Sequence, residues 1–250
     1  MSAVLPRLSA TRSYEDQDGR IAAAISDVAR TASGTIRILE AGCGRLWPIA
    51  LPGVQYHLTG LDLDPAALDI RLRVERDLDA VIHGDLCSVD LPPESFDVVY
   101  SAYVLEHIAA ADVALLQMVR CLRAGGLLVI RIPDPDTARA LVTQVTPFWF
   151  HVFYYRWVMK RPNAGKPGHA PYPTHYHRVI SQSGMSAFAS NNRLVCIGRY
   201  ADTFVRDGKG LPGMVFRLGA RIIDVLSLGS RTSRYNDVIY LFKKQPAGPA

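Results

Sequence analysis

Residues 36–46 read I-R-I-L-E-A-G-C-G-R-L: a short apolar run, a carboxylate, and two glycines one position apart. Such a run is a buried parallel strand, and the glycines make a tight turn that opens a helix. Gly42 and Gly44 let backbone approach a ligand where any Cβ would intrude. A second apolar run, 56–61, ends at Asp62. An acid at a strand tip roughly twenty positions after a glycine turn accepts hydrogen bonds from ribose hydroxyls in doubly wound folds. Together these stretches predict an α/β protein that holds a nucleoside-containing small molecule.

The kind of nucleoside follows from what is missing. A dinucleotide turn needs a third small residue, and that place is Trp47, followed by Pro48. Glu40 would repel a pyrophosphate but suits a ligand that carries an ammonium and no phosphate. S-adenosylmethionine, with an ammonium and a sulfonium, meets that description.

From these residues onward the chain resembles the class I S-adenosylmethionine-dependent methyltransferases of the type 11 group. The matching pieces are E-A-G-C-G (40–44), G-L-D-L-D-P around Asp62, H-G-D-L (83–86), S-F-D-V-V-Y-S-A-Y-V-L-E-H-I (95–108) and L-R-A-G-G-L-L-V-I-R-I-P-D (122–134). The family often has a third glycine where Leu46 stands, so the exit of the turn is altered here. The resemblance implies a Rossmann-like methyltransferase fold, a doubly wound and mostly parallel seven-stranded sheet. One domain spans 1–250: an N-terminal arm (1–19), a cofactor core (20–134), a substrate lid after the fifth strand (135–181) and a C-terminal sheet part (182–250). The last part carries a helical insertion, 201–236, before the final antiparallel strand. Implied cofactor contacts are Glu40, Gly42, Cys43, Gly44, Asp62, Leu63, Asp85, Leu86, Ser101 and Ala102, with Tyr14 closing from the arm.

Local signals fill in the core. Ile21, Ile25 and Val28 share a helical face within 20–30. Asp64 and Pro65 read as an N-cap and first-turn proline for a helix over 66–76. A short third strand is expected at 80–82 and a fourth at 96–101, with Asp97 a structural partner at its start. An amphipathic helix over 111–122 is expected to end on Gly125-Gly126 as a left-handed cap. Further expectations are a helix over 183–190, a strand over 193–200 and a strand over 237–244.

Residues 135–181 hold seven aromatic residues between Phe148 and Trp157, then a loop rich in Pro, Gly and His. Insertions at this place in the fold build substrate covers. The sulfonium methyl is already activated, so the enzyme must align an acceptor and manage one proton. A hydroxyl acceptor needs a base, and residues 172–178, Y-P-T-H-Y-H-R, offer His175 or His177. His107, Asp134, Tyr154, His169, Tyr176 and Arg178 are expected to touch the substrate. His175 and His177 with Asp134 or Asp136 make a divalent-metal (Mg) site the alternative, but H-x-H alone is too little to assign one. The acceptor expected is a small-molecule hydroxyl, a saccharide or glycosylated metabolite first, a lipid or aromatic natural product second. A non-catalytic nucleoside- or partner-binding domain is the reading from another class.

Composition removes other classes. A net charge of +5 over 250 residues is short of a nucleic-acid footprint. Four scattered cysteines without a C-x-x-C pair argue against a disulfide or zinc scaffold. No run is apolar enough to span a bilayer, so no stable membrane insertion and a cytoplasmic location are expected. The apolar helix over 211–228 is left three roles: cover of the acceptor pocket, homodimer face, or contact with a membrane surface.

Overall fold

A computed structural model describes residues 5–166, 169–203 and 211–246. Eight strands form a single sheet in the order β1-β7-β8-β6-β5-β2-β3-β4. They are β1 (Ser9–Thr11), β2 (Ile36–Ala41), β3 (Tyr56–Asp62), β4 (Ala80–His83), β5 (Phe96–Ala102), β6 (Leu122–Pro133), β7 (Leu194–Asp202) and β8 (Asp237–Lys244). Every pairing is parallel except those of β8 with β6 and β7. The sheet is doubly wound and mostly parallel, as the fold family requires, but it has one strand more than the seven expected.

The additional strand is β1, from the N-terminal arm, where no strand was expected. It lies on the sheet edge against Tyr200–Asp202, where Thr11 Oγ1 donates to the Ala201 carbonyl (2.9 Å). The first helix, α1 (Tyr14–Thr31), follows at once. Ser13 caps it by accepting the Asp16 N–H at 3.1 Å.

The helices cover both faces. α1 buries Ile21 and Ile25 against Ile36, Ile38, Val98 and Val129 on one face. On the other, α3 (Ala111–Cys121) buries Leu115 and Met118, and α6 (Gln182–Asn191) buries Met185 and Ala189, against Leu39, Val99, Leu128 and Tyr240. Burial of each Leu or Ile contributes roughly 1.5–3 kcal/mol, so these two layers are the main source of stability.

Three local expectations are corrected. No helix follows the glycine turn: residues 42–55 are irregular. Pro48 and Pro52 deny it N–H groups, and Trp47 packs edge-on against Tyr100 with ring centroids 5.3 Å apart. The helix expected over 66–76 is α2 (Pro65–Ile70), which widens into a π-helical turn at Arg71–Glu75. Gly125-Gly126 does not cap α3, because the chain turns extended at Leu122, and Gly125 (φ +77°) falls within β6 instead.

The lid after β6 consists of α4 (Ala138–Val145), α5 (Phe148–Phe153) continued by a π turn at Tyr154–Val158, and a loop that ends in a 3-10 turn at Arg178–Ile180. α7 (Leu211–Leu226) packs beside α4. Residues 167–168 of the lid, 204–210 of the helical insertion and 247–250 of the tail lie outside the described residues.

Candidate active site

Parallel strands bring their C-terminal ends to one edge of a sheet, where doubly wound folds bind ligands. Here that edge gathers the 40–44 turn, Asp62, the 83–86 turn, Ser101 to Tyr103, Arg131 to Asp134 and, where antiparallel β8 begins, Asp237. Gly42 (φ +75°) and Gly44 (φ +53°) adopt the left-handed backbone that the sequence demands of them. At Gly42 an added Cβ would lie 2.2 Å from Val104 Cγ2, so a side chain there collides with the loop after β5. The Gly42 and Cys43 N–H groups donate to the Leu61 carbonyl (2.8 and 3.0 Å), tying the turn to β3. Asp62 completes the tie: Oδ2 accepts the Gly44 N–H (2.8 Å) and Oδ1 the Asp64 N–H (2.9 Å). Each oxygen retains a lone pair that a ribose hydroxyl can use. Leu63 is exposed beside it.

Glu40 differs from its expectation. It is buried, and the Arg71 guanidinium donates to it at 2.9 Å. The same guanidinium reaches Asp77 Oδ1 (2.7 Å) and the Cys43 carbonyl (2.7 Å). Burial pushes the Glu40 carboxyl up to about 8, with Arg71 pulling it back. Glu40 is thus matched by a cation of the protein itself and braces the turn from beneath. Burial also lifts the Cys43 thiol to about 12, leaving it inert. Asp85 is exposed, and its Oδ1 accepts the Cys87 N–H (2.9 Å) while Leu86 is buried beneath it.

The β5 and β6 tips carry the expected Ser101 and Ala102 together with Tyr103 and Arg131, which sequence reasoning passed over. Ser101 Oγ is buried with no hydrogen-bond partner, Ala102 is half-buried, and Tyr103 takes a left-handed backbone (φ +59°). The Tyr103 hydroxyl donates to Asp237 Oδ2 (2.6 Å). Arg131 is buried between the rings of Tyr14 and Tyr103, its guanidinium carbon 5.1 and 5.3 Å from the ring centroids. It donates to Asp18 (3.1 Å) and Gln17. Tyr14 is thereby placed over the strand ends. Burial and the neighbouring Asp237 carboxylate raise Asp202 to about 6. Arg131 falls inside an apolar run and Asp237 lies 134 positions from Tyr103, so no sequence pattern links them.

The loop after β5 and the lid meet at His107. His107 Nδ1 faces the Pro173 carbonyl at 2.6 Å, and a carbonyl only accepts, so Nδ1 carries the hydrogen. That leaves Nε2 without a hydrogen, 3.9 Å from Glu106 Oε1. Burial holds the imidazole below the usual 6.5, in its neutral form. Tyr172 packs edge-on against the ring, and the His175 backbone N–H donates to the Glu106 carbonyl (2.8 Å), so the flap is pinned to this loop.

The two lid histidines expected as bases are placed differently from each other. The His175 residue is exposed. His177 caps the 3-10 turn: its Nδ1 accepts the Val179 N–H (3.2 Å), and its Nε2 is 3.8 Å from Asp112 of α3. Its ring is engaged by the fold. Asp134 is also corrected, because it is fully buried. It accepts from the Asp136 N–H (2.9 Å), Gln182 Nε2 (3.0 Å) and the Tyr235 hydroxyl (3.0 Å), so it fastens α6 rather than facing the mouth. Tyr176 is half-buried at φ +45°, Tyr154 is half-buried, and Arg178 is exposed. His169 lines a cavity of about 430 Å³ at the lid tip with Lys160, Arg161 and Asn163. A second cavity of about 420 Å³ opens beside the ends of β1 and β7, between Ala10, Gln182 and Arg234. Among the described residues, no group of three or more His, Cys, Asp or Glu is placed to hold a metal ion.

Glu106 is 2% exposed and its Oε2 has no hydrogen-bond partner. Burial raises this carboxyl to about 8. A carboxyl raised on folding costs nothing below its unfolded value, and the cost grows as pH climbs from 4.5 to about 8. Glu106→Gln is therefore expected to leave the melting temperature unchanged at pH 4.5 and to raise it by several degrees at pH 8.5. Thermal melts of both proteins at the two pH values check this.

Comparison with known proteins agrees with the geometry. Residues 39–130 match the type 11 family described as Methyltransferase domain. A probable S-adenosylmethionine-dependent methyltransferase of Mycolicibacterium smegmatis is 35% identical over 102 residues, 40% of this chain and 39% of that protein. A demethylmenaquinone methyltransferase of Listeria welshimeri is 34% identical over 140 residues, 52% of this chain and 56% of that protein. The chain thus spans about half the length of these curated relatives or less. An S-adenosylmethionine-dependent methyltransferase structure from Mesorhizobium loti superposes with a TM-score of 0.54, covering 89% of this chain and 96% of that one at 17% identity. The strand order, the glycine turn and the tip acid are those of a Rossmann-like methyltransferase fold. More closely, residues 39–130 carry the likeness to the type 11 group of class I S-adenosylmethionine-dependent methyltransferases.

Proposed function

We propose that the protein moves a methyl group from S-adenosylmethionine to a hydroxyl of a small molecule, with His107 as the base. The observation that carries the base is the Nδ1-to-Pro173 hydrogen bond, which fixes one tautomer and leaves Nε2 to accept a proton. The cofactor fits the residues present: side-chain-free backbone at Gly42 and Gly44, a tip carboxylate at Asp62, and a buried, unpartnered hydroxyl at Ser101. Bound there, the cofactor supplies an electrophilic methyl. The chain's part is to orient it, keep out water, and hold the departing proton of the acceptor. Asp62 binds the ribose, Asp85 and Leu86 meet the adenine, and Tyr14 covers the site from α1. His175 is the second candidate base, exposed on the flap that contacts His107.

For the acceptor, an apolar or aromatic molecule ranks ahead of the saccharide expected from sequence. The lid presents aromatic rings and cations, and residues 137–201 contain no carboxylate with which to bind sugar hydroxyls. The Listeria relative is named for demethylmenaquinone, a quinone, which favours the same choice.

His107→Ala is expected to lower turnover by roughly 100-fold or more while affinity for S-adenosylmethionine stays within a factor of two. In the parent protein, turnover should fall as pH drops below 6.5, because the neutral imidazole is the active form. Product S-adenosylhomocysteine, measured with a panel of hydroxylated quinones, phenols and sugars, is the readout. Full activity of His107→Ala moves the base elsewhere. Cofactor binding without turnover of any acceptor supports the non-catalytic binder instead.

A further inference from the structure

The outer surface of the lid is apolar where a folded protein normally is not. Val145, Trp149, Phe153 and Trp157 recur every fourth residue along α4, α5 and the π turn, and all are exposed, Trp149 by 68% and Trp157 by 73%. On neighbouring α7, Met214, Leu218, Ile222, Val225 and Leu226 are exposed as well. At about 100° per residue these five occupy one face, opposite buried Ala220. Leu228, just past the helix, is 95% exposed. Two adjacent elements thus direct their apolar stripes outward, which is the reverse of a cover helix packing on its own domain.

From α4 onward the lid's own charges have one sign, and α7 adds Arg217 and Arg221 against a single acid, Asp224, among its described residues. Residues 137–201 hold eight Lys or Arg and no Asp or Glu, whereas the other 185 residues hold 20 against 23. The protein's whole positive excess therefore lies in this stretch. Arg156, Lys160 and Arg161 flank Trp157 and are exposed, and Arg217 and Arg221 sit one turn apart along one edge of the α7 stripe.

We infer that the lid and α7 together form a docking surface for an anionic lipid bilayer. Exposed tryptophans beside lysines and arginines suit the headgroup boundary, where rings enter the acyl edge and cations meet phosphates. The aliphatic face of α7 gives a nucleic acid nothing to stack on, and the arginine-flanked stripe would meet like charge in a second copy. None of the described helices is long and apolar enough to cross a membrane, so the contact is with the surface. Since the same lid closes over His107, docking would let an acceptor dissolved in the bilayer reach the site directly. The surface itself does not rest on the acceptor proposed above, and vesicle binding is read without turnover.

The experiment uses the full chain with unilamellar vesicles of phosphatidylcholine alone or mixed with phosphatidylglycerol. The protein should co-sediment with the mixed vesicles, lose binding as salt rises, and show blue-shifted tryptophan emission, since two of its three tryptophans lie on the proposed face. Arg217→Glu/Arg221→Glu should weaken binding about 30-fold or more. Trp149→Ser/Trp157→Ser should weaken it and abolish the emission shift. Both variants should keep the parent melting temperature and affinity for S-adenosylmethionine. Absence of vesicle binding, binding indifferent to both variants, a concentration-dependent dimer that buries the tryptophans, or retention of a single-stranded oligonucleotide in place of vesicles each overturns the inference.

Discussion

Arg71→Met lowers the melting temperature by about 10 °C, the largest stability effect expected of any single substitution near the site. The Arg71 side chain is fully buried, and its guanidinium serves Glu40, Asp77 and the Cys43 carbonyl at 2.7–2.9 Å. Methionine fills the volume but leaves Glu40 as an uncompensated buried carboxyl. Removing one partner of a buried pair costs about 3–5 kcal/mol. Each kcal/mol moves the midpoint of a chain of this size by about 2–4 °C. The variant also releases the Cys43 carbonyl, so affinity for S-adenosylmethionine should fall with stability. Adding Glu40→Gln replaces the stranded carboxyl with a neutral amide, and the double variant should recover part of the lost stability but little of the affinity. Calorimetric melts and titrations of the three proteins decide the matter. A loss of only one or two degrees in Arg71→Met would mean that the pair holds nothing together.

Arg71 also shows where the sequence stops being informative. Asp64 and Pro65 announce the start of α2, and Asp64 does cap it through the Ala66 N–H (3.0 Å). Nothing local announces that the helix widens at Arg71 or that an arginine turns inward 31 positions from Glu40. The legible parts were those fixed by near neighbours. Apolar runs ending in a glycine turn or an acid gave β2 and β3 with their tips, and the 237–244 run gave β8. Asp97 behaves as the partner expected, accepting from Arg123 (2.8 Å) and from the Arg37 N–H (2.7 Å). The illegible parts depend on pairs far apart in sequence. Three residues, Ser-Ala-Thr, carry no strand pattern, and β1 forms because the β7 edge lies open beside it. Asp134 looked free at a strand end because Gln182 and Tyr235, which hold it, come 48 and 101 positions later. His107 looked secondary to the flap histidines for the same reason. Its tautomer is set by a carbonyl 66 positions away.

Asp62→Ala should raise the dissociation constant for S-adenosylmethionine by more than about 100-fold, since hydrogen bonds to a charged group contribute about 1.5–3 kcal/mol each and two ribose hydroxyls lose theirs. The same carboxylate accepts the Gly44 and Asp64 N–H groups and so shapes the turn as well. A collapsed turn and a missing ribose ligand would both weaken binding, but they differ in what else they change. Loss of the turn should weaken S-adenosylmethionine and a ribose-free methionine sulfonium fragment alike. Loss of the ribose contact should spare the fragment. Asp64→Ala supplies the comparison, since it removes the α2 cap and a long, exposed contact to Arg45 (4.0 Å): about 1 kcal/mol of stability with cofactor affinity unchanged. Titration calorimetry with both ligands on both variants, alongside thermal melts, separates these outcomes. If Asp62→Ala binds the whole cofactor as tightly as the parent, the ribose is held elsewhere and the β3 tip is only a brace for the glycine turn. If it loses the cofactor and keeps the fragment, the acid acts on the nucleoside directly, and the distance from glycine pair to strand-end acid has its chemical explanation.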